Sequence, residues 1–232
     1  MLSYYSVSRL NPRQQEALEA ITGPVLVLAG AGSGKTSVIT QKIAYLIAEC
    51  GLKGHQIIAL TFTNKSAREM KERVGNLMTG KEGRGLTVST FHNLGLNIIR
   101  TEIKTLGFKP GFSILDQEDC RKLLKELMVR HSELDDKLLD QVQSTISNWK
   151  NSLLEPGQAT GAADSTGEQG IAILYERYQG ALKAYNAVDF DDLIMTPVML
   201  FKQHPEILNK WQRRIRYLLV DEYQDTNLAQ YE

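Results

Sequence analysis

The chain has 232 residues, 42% of them apolar and 23% charged, the proportions of a soluble globular protein, which argues against disorder and against a fibrous repeat. Lysine plus arginine equals aspartate plus glutamate, 27 against 27, so whole-chain charge gives no pull toward nucleic acid or a membrane surface and any polyanion site must be local. Cys50 and Cys120 are far apart and lie in no Cys-x-x-Cys or Cys/His cluster, so neither a disulfide framework nor a zinc site is expected and a reducing, cytoplasmic setting fits.

The N-terminal Met1–Ser6 has no basic region leading into an apolar stretch, so no signal peptide is expected. Pro24–Ala29 is a short apolar run between a Gly-Pro step and a glycine-rich turn, and is predicted to be a buried strand. It is also the longest apolar run and falls far short of the roughly 20 residues a membrane helix needs, so a membrane-spanning protein is not expected. From Gly34 to Glu49 the apolar residues follow a helical period, and Gly51 stands where a terminating glycine belongs. Gln56–Thr61 is a second predicted strand, Ser66–Met78 an amphipathic helix, Leu86–Thr90 a third strand and Leu94–Leu106 a further helix. Alternation of strand and helix predicts an α/β fold around a parallel sheet.

Between Asp116 and Gln203 no strand is predicted. Helical runs dominate, at Arg121–Arg130, Lys137–Lys150, Ile171–Tyr185 and Leu193–Lys202. Pro156–Gly167, rich in Gly, Ala, Ser and Thr, reads as a mobile surface loop within this block. Tyr217–Val220 then returns as a strand ending in Asp221-Glu222, which makes the block an all-helical insertion into the α/β domain. The chain stops at Glu232 within the first turns of an expected helix, as though cut.

Ala29-Gly30-Ala31-Gly32-Ser33-Gly34-Lys35-Thr36 follows a predicted strand and opens a predicted helix, the context that makes a glycine-rich match a P-loop. Its glycines let backbone N–H groups point inward at phosphate oxygens, at a helix N-terminus that is itself partly positive. Lys35 supplies charge for the β- and γ-phosphates of ATP, and the Thr36 hydroxyl suits Mg2+. Ala29 stands where the strict pattern has glycine. A P-loop ATPase also needs a carboxylate on a neighbouring strand. Asp221 is placed to hold magnesium, and Glu222 to orient and deprotonate the attacking water.

Asp221-Glu222-Tyr223-Gln224-Asp225-Thr226-Asn227 resembles motif II of the superfamily 1 DNA helicases of the UvrD/Rep type. Leu10–Gln14 resembles that family's Q motif, in which the position of Gln14 contacts adenine. Thr61–Met70 is similar to motif Ia, Ser89-Thr90-Phe91-His92 to the next DNA-contacting motif, and Asp189–Leu193 to the segment where the insertion rejoins the motor domain. The segments follow the family's order from Leu10 to Glu232. The resemblance implies a RecA-like motor domain in two pieces, residues 1–107 and 193–232, around a helical accessory subdomain at 108–192. It further implies 3′-to-5′ translocation on single-stranded DNA, action at duplex junctions, and a setting in replication or repair. Ser37 departs from relatives that often carry arginine there in support of adenine binding.

Phe62 and Phe91 lie just past predicted strand ends, where loops of a parallel sheet gather ligands. They serve either as base-stacking surfaces or as core, with Thr63, Asn64, Thr90 and His92 as phosphate donors, His92 alternatively as a cap. Basic residues from Lys65 to Lys104, Arg68, Arg73 and Lys81 among them, outnumber the acidic ones, which fits a mildly basic face or an ordinary solvated helix equally well. Asp189-Phe190-Asp191-Asp192 has the carboxylates of a second metal cluster, whereas the resemblance makes Phe190 a DNA contact and the aspartates caps. Two alternatives to a motor stand beside it: a binding module that holds nucleotide and DNA without turnover, and a different P-loop ATPase.

Overall fold

A computed structural model describes residues 10–30, 32–78, 83–128 and 136–232. In chain order its principal elements are α1 (Pro12–Glu19), α2 (Lys35–Ala48), β1 (Ile57–Thr61), α3 (Asn64–Leu77), β2 (Thr87–Thr90), α4 (Phe91–Thr101), α5 (Ile103–Leu106), β3 (Ser113–Ile114), α6 (Gln117–Met128), α7 (Asp136–Asn151), α8 (Pro156–Ala162), α9 (Thr166–Ala184), β4 (Ala187–Val188), α10 (Asp192–Gln203), α11 (Pro205–Arg214), β5 (Tyr217–Val220) and α12 (Leu228–Tyr231). They form two compact units, one running through Phe91 and resuming at Glu206–Asp225, the other made of His92–Pro205 and Thr226–Glu232.

The first unit is built on a parallel sheet of order β2-β1-β5. Central β1 is buried at every residue, as a strand flanked on both edges must be, with Ile58 opposite Thr87 on one side and Leu218 on the other. Ile43, Leu46 and Ile47 of α2 and Met70 and Val74 of α3 pack with Ile57 and Ala59 into one core. Gly51, at φ 72°, ends α2 as its sequence position requires. Buried Lys42 donates to the backbone oxygens of Ala17 (2.8 Å) and Ala20 at the end of α1, tying α1 to α2.

Pro24–Ala29 departs from expectation. It forms no strand, and Val25, Leu26, Val27 and Leu28 are 47, 64, 50 and 86% exposed. An apolar run becomes a strand only where a ladder edge takes up its N–H and C=O groups. Both edges of β1 are already used, and the run pairs with neither β2 nor β5.

The second unit holds the predicted helical block. Leu124, Val142, Ile146, Ala172, Tyr175, Tyr178 and Leu182 form its core, drawn from α6, α7 and α9. The expected mobile loop at Pro156–Gly167 is instead α8 and the start of α9. Pro156 occupies the first helical turn, Glu155 and Gln158 form a capping box, and Ala159 is fully buried, so helix-start chemistry overrides a loop-like composition. A two-residue parallel pair, β3 with β4, lies where no strand was expected. Asn186, at φ 51°, clamps it by exchanging two hydrogen bonds with the backbone of Lys109 (2.8 and 3.1 Å). The expected boundary at 107/108 moves to Phe91/His92, because Ile99 of α4 packs with Val188 and Leu193. Among the described residues no helix is long and apolar enough to cross a membrane.

Candidate nucleotide site and nucleic-acid contacts

Gly32 (φ 73°) and Gly34 (φ 85°) take left-handed backbone conformations that only glycine adopts cheaply, and Gly34 opens α2. The loop therefore arrives at the helix N-terminus with Lys35 and Thr36 in its first turn. Ala31 lies outside the described residues. Asn11 and Gln14 form a capping box on α1, and the Gln14 side-chain amide donates to the Ser33 carbonyl oxygen (3.0 Å). Gln14 thus braces the glycine loop directly.

The acidic partner sits at the end of β5. The Asp221 N–H donates to the Leu60 oxygen (2.9 Å), which carries the β1–β5 ladder one step further and fixes where the strand stops. Glu222 then takes a positive φ of 52°, a rare backbone state for a residue with a side chain, and it turns beside the glycine loop. Lys35 Nζ lies 3.6 Å from a Glu222 carboxylate oxygen and donates to the Ala29 carbonyl oxygen at 3.3 Å. A cleft of about 620 Å3 opens here, lined by Gly32, Gly34, Lys35, Thr36, Ser37, Arg73, Glu222 and Gln224. That volume falls within the roughly 300–1,000 Å3 of small-molecule sites.

The two carboxylates are pushed apart. Burial, and then the charge of Glu222, raise the Asp221 carboxyl above its usual range, while a hydrogen bond from Gln224 and then the charge of Lys35 hold Glu222 below its own. The hard oxygens of Thr36 and Asp221 fit a magnesium ion by type, and a half-buried carboxylate beside a second negative charge is one a cation would relieve. Two lining residues escaped the sequence reading. Arg73 was weighed only as part of a solvated basic helix, and its phase on α3, beside the buried Met70 and Val74, is the one signal that could have marked it. Gln224, two residues past Glu222, is its hydrogen-bond donor.

The expected nucleic-acid residues fall into two groups, one in each unit. In the first, Phe62 is half-buried and packs on Phe91 with ring centroids 5.4 Å apart. Thr90 and Phe91 are buried at 6 and 9% exposure, so for Phe91 the core alternative describes its ring. Thr63 and Asn64 are exposed at the start of α3, where the Thr63 hydroxyl caps the helix by accepting from the Ser66 N–H (3.0 Å). Lys81 of the basic run lies outside the described residues.

In the second unit Phe190 is 58% exposed and stacks on His92, with ring centroids 4.0 Å apart and planes at 23°. Burial holds the His92 imidazole below its usual pKa. Asp189 and Asp192 are buried and cap one another: the Asp192 N–H donates to Asp189 (2.9 Å), and the Asp189 N–H to Asp192 (3.1 Å). They hold an ammonium, Lys150, instead of a metal, and among the described residues no cluster of three metal-ligating side chains occurs.

Burial pushes Asp192 up to about 6 against the pull of Lys150. A carboxyl whose pKa is raised by folding contributes stability below its unfolded value and loses it as pH rises through the folded one. The second unit is therefore expected to lose on the order of 1–3 kcal/mol between about pH 4 and pH 7 through this group. Urea titrations at the two pH values should show the slope, and Asp192→Asn should flatten it; an unchanged slope in the variant would refute the assignment.

The UvrD/REP helicase N-terminal domain model matches residues 10–232. The ATP-dependent DNA helicase Rep of Escherichia coli is 57% identical over 224 residues, covering 97% of this chain and 33% of the relative. Rep of Buchnera aphidicola (Schizaphis graminum) is 48% identical, covering 96% and 34%. The ATP-dependent DNA helicase PcrA of Bacillus subtilis is 45% identical, covering 99% and 31%. The chain spans about a third of the length of these relatives. With the family match running from Leu10 to the last residue, across the glycine loop and the Asp221-Glu222 turn alike, the chain belongs to the UvrD/REP helicase N-terminal domain family of enzymes.

Proposed function

We propose that this chain is the ATP- and single-stranded-DNA-binding portion of a 3′-to-5′ DNA helicase, with the sheet-bearing unit as a RecA-like motor domain and the helical unit as its accessory subdomain. The observation that carries this reading is the Lys35–Glu222 pair, 3.6 Å apart in a cleft walled by the glycine loop. The names of the relatives supply the nucleotide and the DNA.

Backbone N–H groups at Gly32 and Gly34 and in the first turn of α2 cradle the phosphates, and Lys35 exchanges Glu222 for the β- and γ-phosphates when ATP enters. Thr36 and Asp221 would hold magnesium, which when bound neutralises charge on the phosphate oxygens. A Glu222 oxygen released by Lys35 accepts a proton from the attacking water. The water oxygen bonds to the γ-phosphorus as the bond to the β-phosphate bridge breaks, and ADP and phosphate leave.

Glu222→Gln should bind a non-hydrolysable ATP analogue as tightly as the parent while losing about 100-fold or more of any poly(dT)-stimulated phosphate release. Undiminished release would sink the role of Glu222. Parent chain that binds the analogue yet releases no phosphate with or without poly(dT) would be a binding module.

Phe62, Thr63, Asn64, His92 and Phe190 are the nucleic-acid contacts in this reading, with Phe91 packed against Phe62 and Thr90 buried. Stacking on aromatic rings accepts any base, as a motor moving along arbitrary sequence requires. Phe62→Ala is expected to weaken binding of an oligo(dT) about fivefold by fluorescence anisotropy, with little dependence on base composition. A large fall in melting temperature with no loss of affinity would make Phe62 a core residue.

A further inference from the structure

Lys150 has no exposed surface, yet it carries an ammonium group. Its Nζ donates to Asp189 (2.6 Å) and to Asp192 (2.9 Å), and Tyr178 donates to the same Asp189 oxygen (3.0 Å). Burying such a group costs several kcal/mol that an apolar side chain would not, so net stability is a poor explanation for it; fixing one geometry is a better one. The geometry it fixes is narrow. Asp189 and Asp192 flank Phe190 at one and two residues' distance, and each also receives the other's backbone N–H. One cation and two reciprocal caps therefore leave the four-residue turn a single arrangement, and from that turn the Phe190 ring emerges against His92.

We propose that Lys150 is a positioning residue that, by holding Asp189 and Asp192 together inside the helical unit, sets the Phe190 ring against His92 as a preformed platform for a base of single-stranded DNA. This rests on the reading of Phe190 as a nucleic-acid contact. An exposed aromatic ring left to rotate would have to be ordered on each binding event; a ring fixed beforehand spares that cost.

Two measurements on the whole chain separate the positioning from the contact. The first is the imidazole proton spectrum, in which four histidines are resolved by substituting His92. The ring current of Phe190 displaces the His92 signal; Phe190→Ala abolishes the displacement, Lys150→Met collapses it toward the same value, and Lys150→Arg keeps it. The second is anisotropy with oligo(dT). Phe190→Ala and Lys150→Met each weaken binding about tenfold, the size of one lost base–aromatic stack, and the double variant is no weaker than either. Binding of an ATP analogue in the other unit stays unchanged throughout.

Should Lys150→Met fail to fold, Lys150→Met/Asp192→Asn leaves one fewer uncompensated carboxylate and is expected to show the same collapse. A His92 displacement that persists without Lys150 overturns the proposal, as do losses of affinity that add in the double variant. If the displacement collapses but Phe190→Ala binds oligo(dT) like the parent, it is the reading of Phe190 as a DNA contact that fails.

Discussion

Lys35→Ala is expected to lower the affinity for an ATP analogue by about tenfold or more, while the melting temperature moves by no more than roughly 2 °C. The two halves of this result have separate causes. Lys35 meets Glu222 at 3.6 Å with both side chains partly in water, at 30 and 42% exposure, and pairs of that kind contribute about 0–1 kcal/mol. No core volume is lost. A hydrogen bond from an ammonium to phosphate contributes more, about 1.5–3 kcal/mol, and the cleft offers it no equivalent replacement, since Arg73 approaches from α3 and not from the loop. Glu222 would also lose one of the two groups that hold it ionised. Titration calorimetry with the analogue settles the matter, and affinity equal to the parent's would refute the phosphate-binding role.

Gly95→Ala should destabilise the helical unit by about 3 kcal/mol or more, at or beyond the upper end of the range for overpacking. Gly95 lies on α4 where that helix meets α10, and a methyl group there would run into the Leu193 carbonyl oxygen, with its carbon at 2.9 Å. A backbone obstacle cannot rotate away as a side chain does. The substitution must separate two helices whose contact also brings His92 to Phe190. Gly75→Ala on α3, where an added Cβ meets nothing within 4 Å, is the control and should stabilise by roughly 0.5–1 kcal/mol. Urea unfolding followed by circular dichroism distinguishes them; equal effects would show that the close approach of α4 and α10 carries no energetic weight.

Much of this was legible in one dimension wherever the signal was local. Tyr217–Val220 is a strand over the residues predicted, and α2 begins and ends where Gly34 and Gly51 indicate. Glu222 lies 3.6 Å from Lys35 at the end of the glycine loop, although the two stand far apart in the sequence. What failed to show depends on partners. An apolar run such as Pro24–Ala29 cannot announce whether a ladder edge will receive it, and a Gly/Ala-rich stretch such as 156–167 hides its capping box among small residues. Lys150 reads as one more surface lysine near the end of a helix until Asp189 and Asp192, some 40 residues on, are folded over it. Long-range charge pairing leaves no periodic trace.

The place of β5 in the sheet also dictates an order of events in folding. Pairing β1 with β2 closes a loop of about 25 residues, whereas pairing β1 with β5 closes one of about 155. Loop entropy alone makes the second closure costlier by roughly 1.5 kcal/mol for a flexible chain. That handicap shrinks once the helices between them have collapsed and the ends of the intervening chain are no longer independent. The acidic side of the cleft, carried by the turn after β5, thus arrives late: a chain caught midway through refolding already has α2 packed on β1, and still lacks Glu222 opposite Lys35.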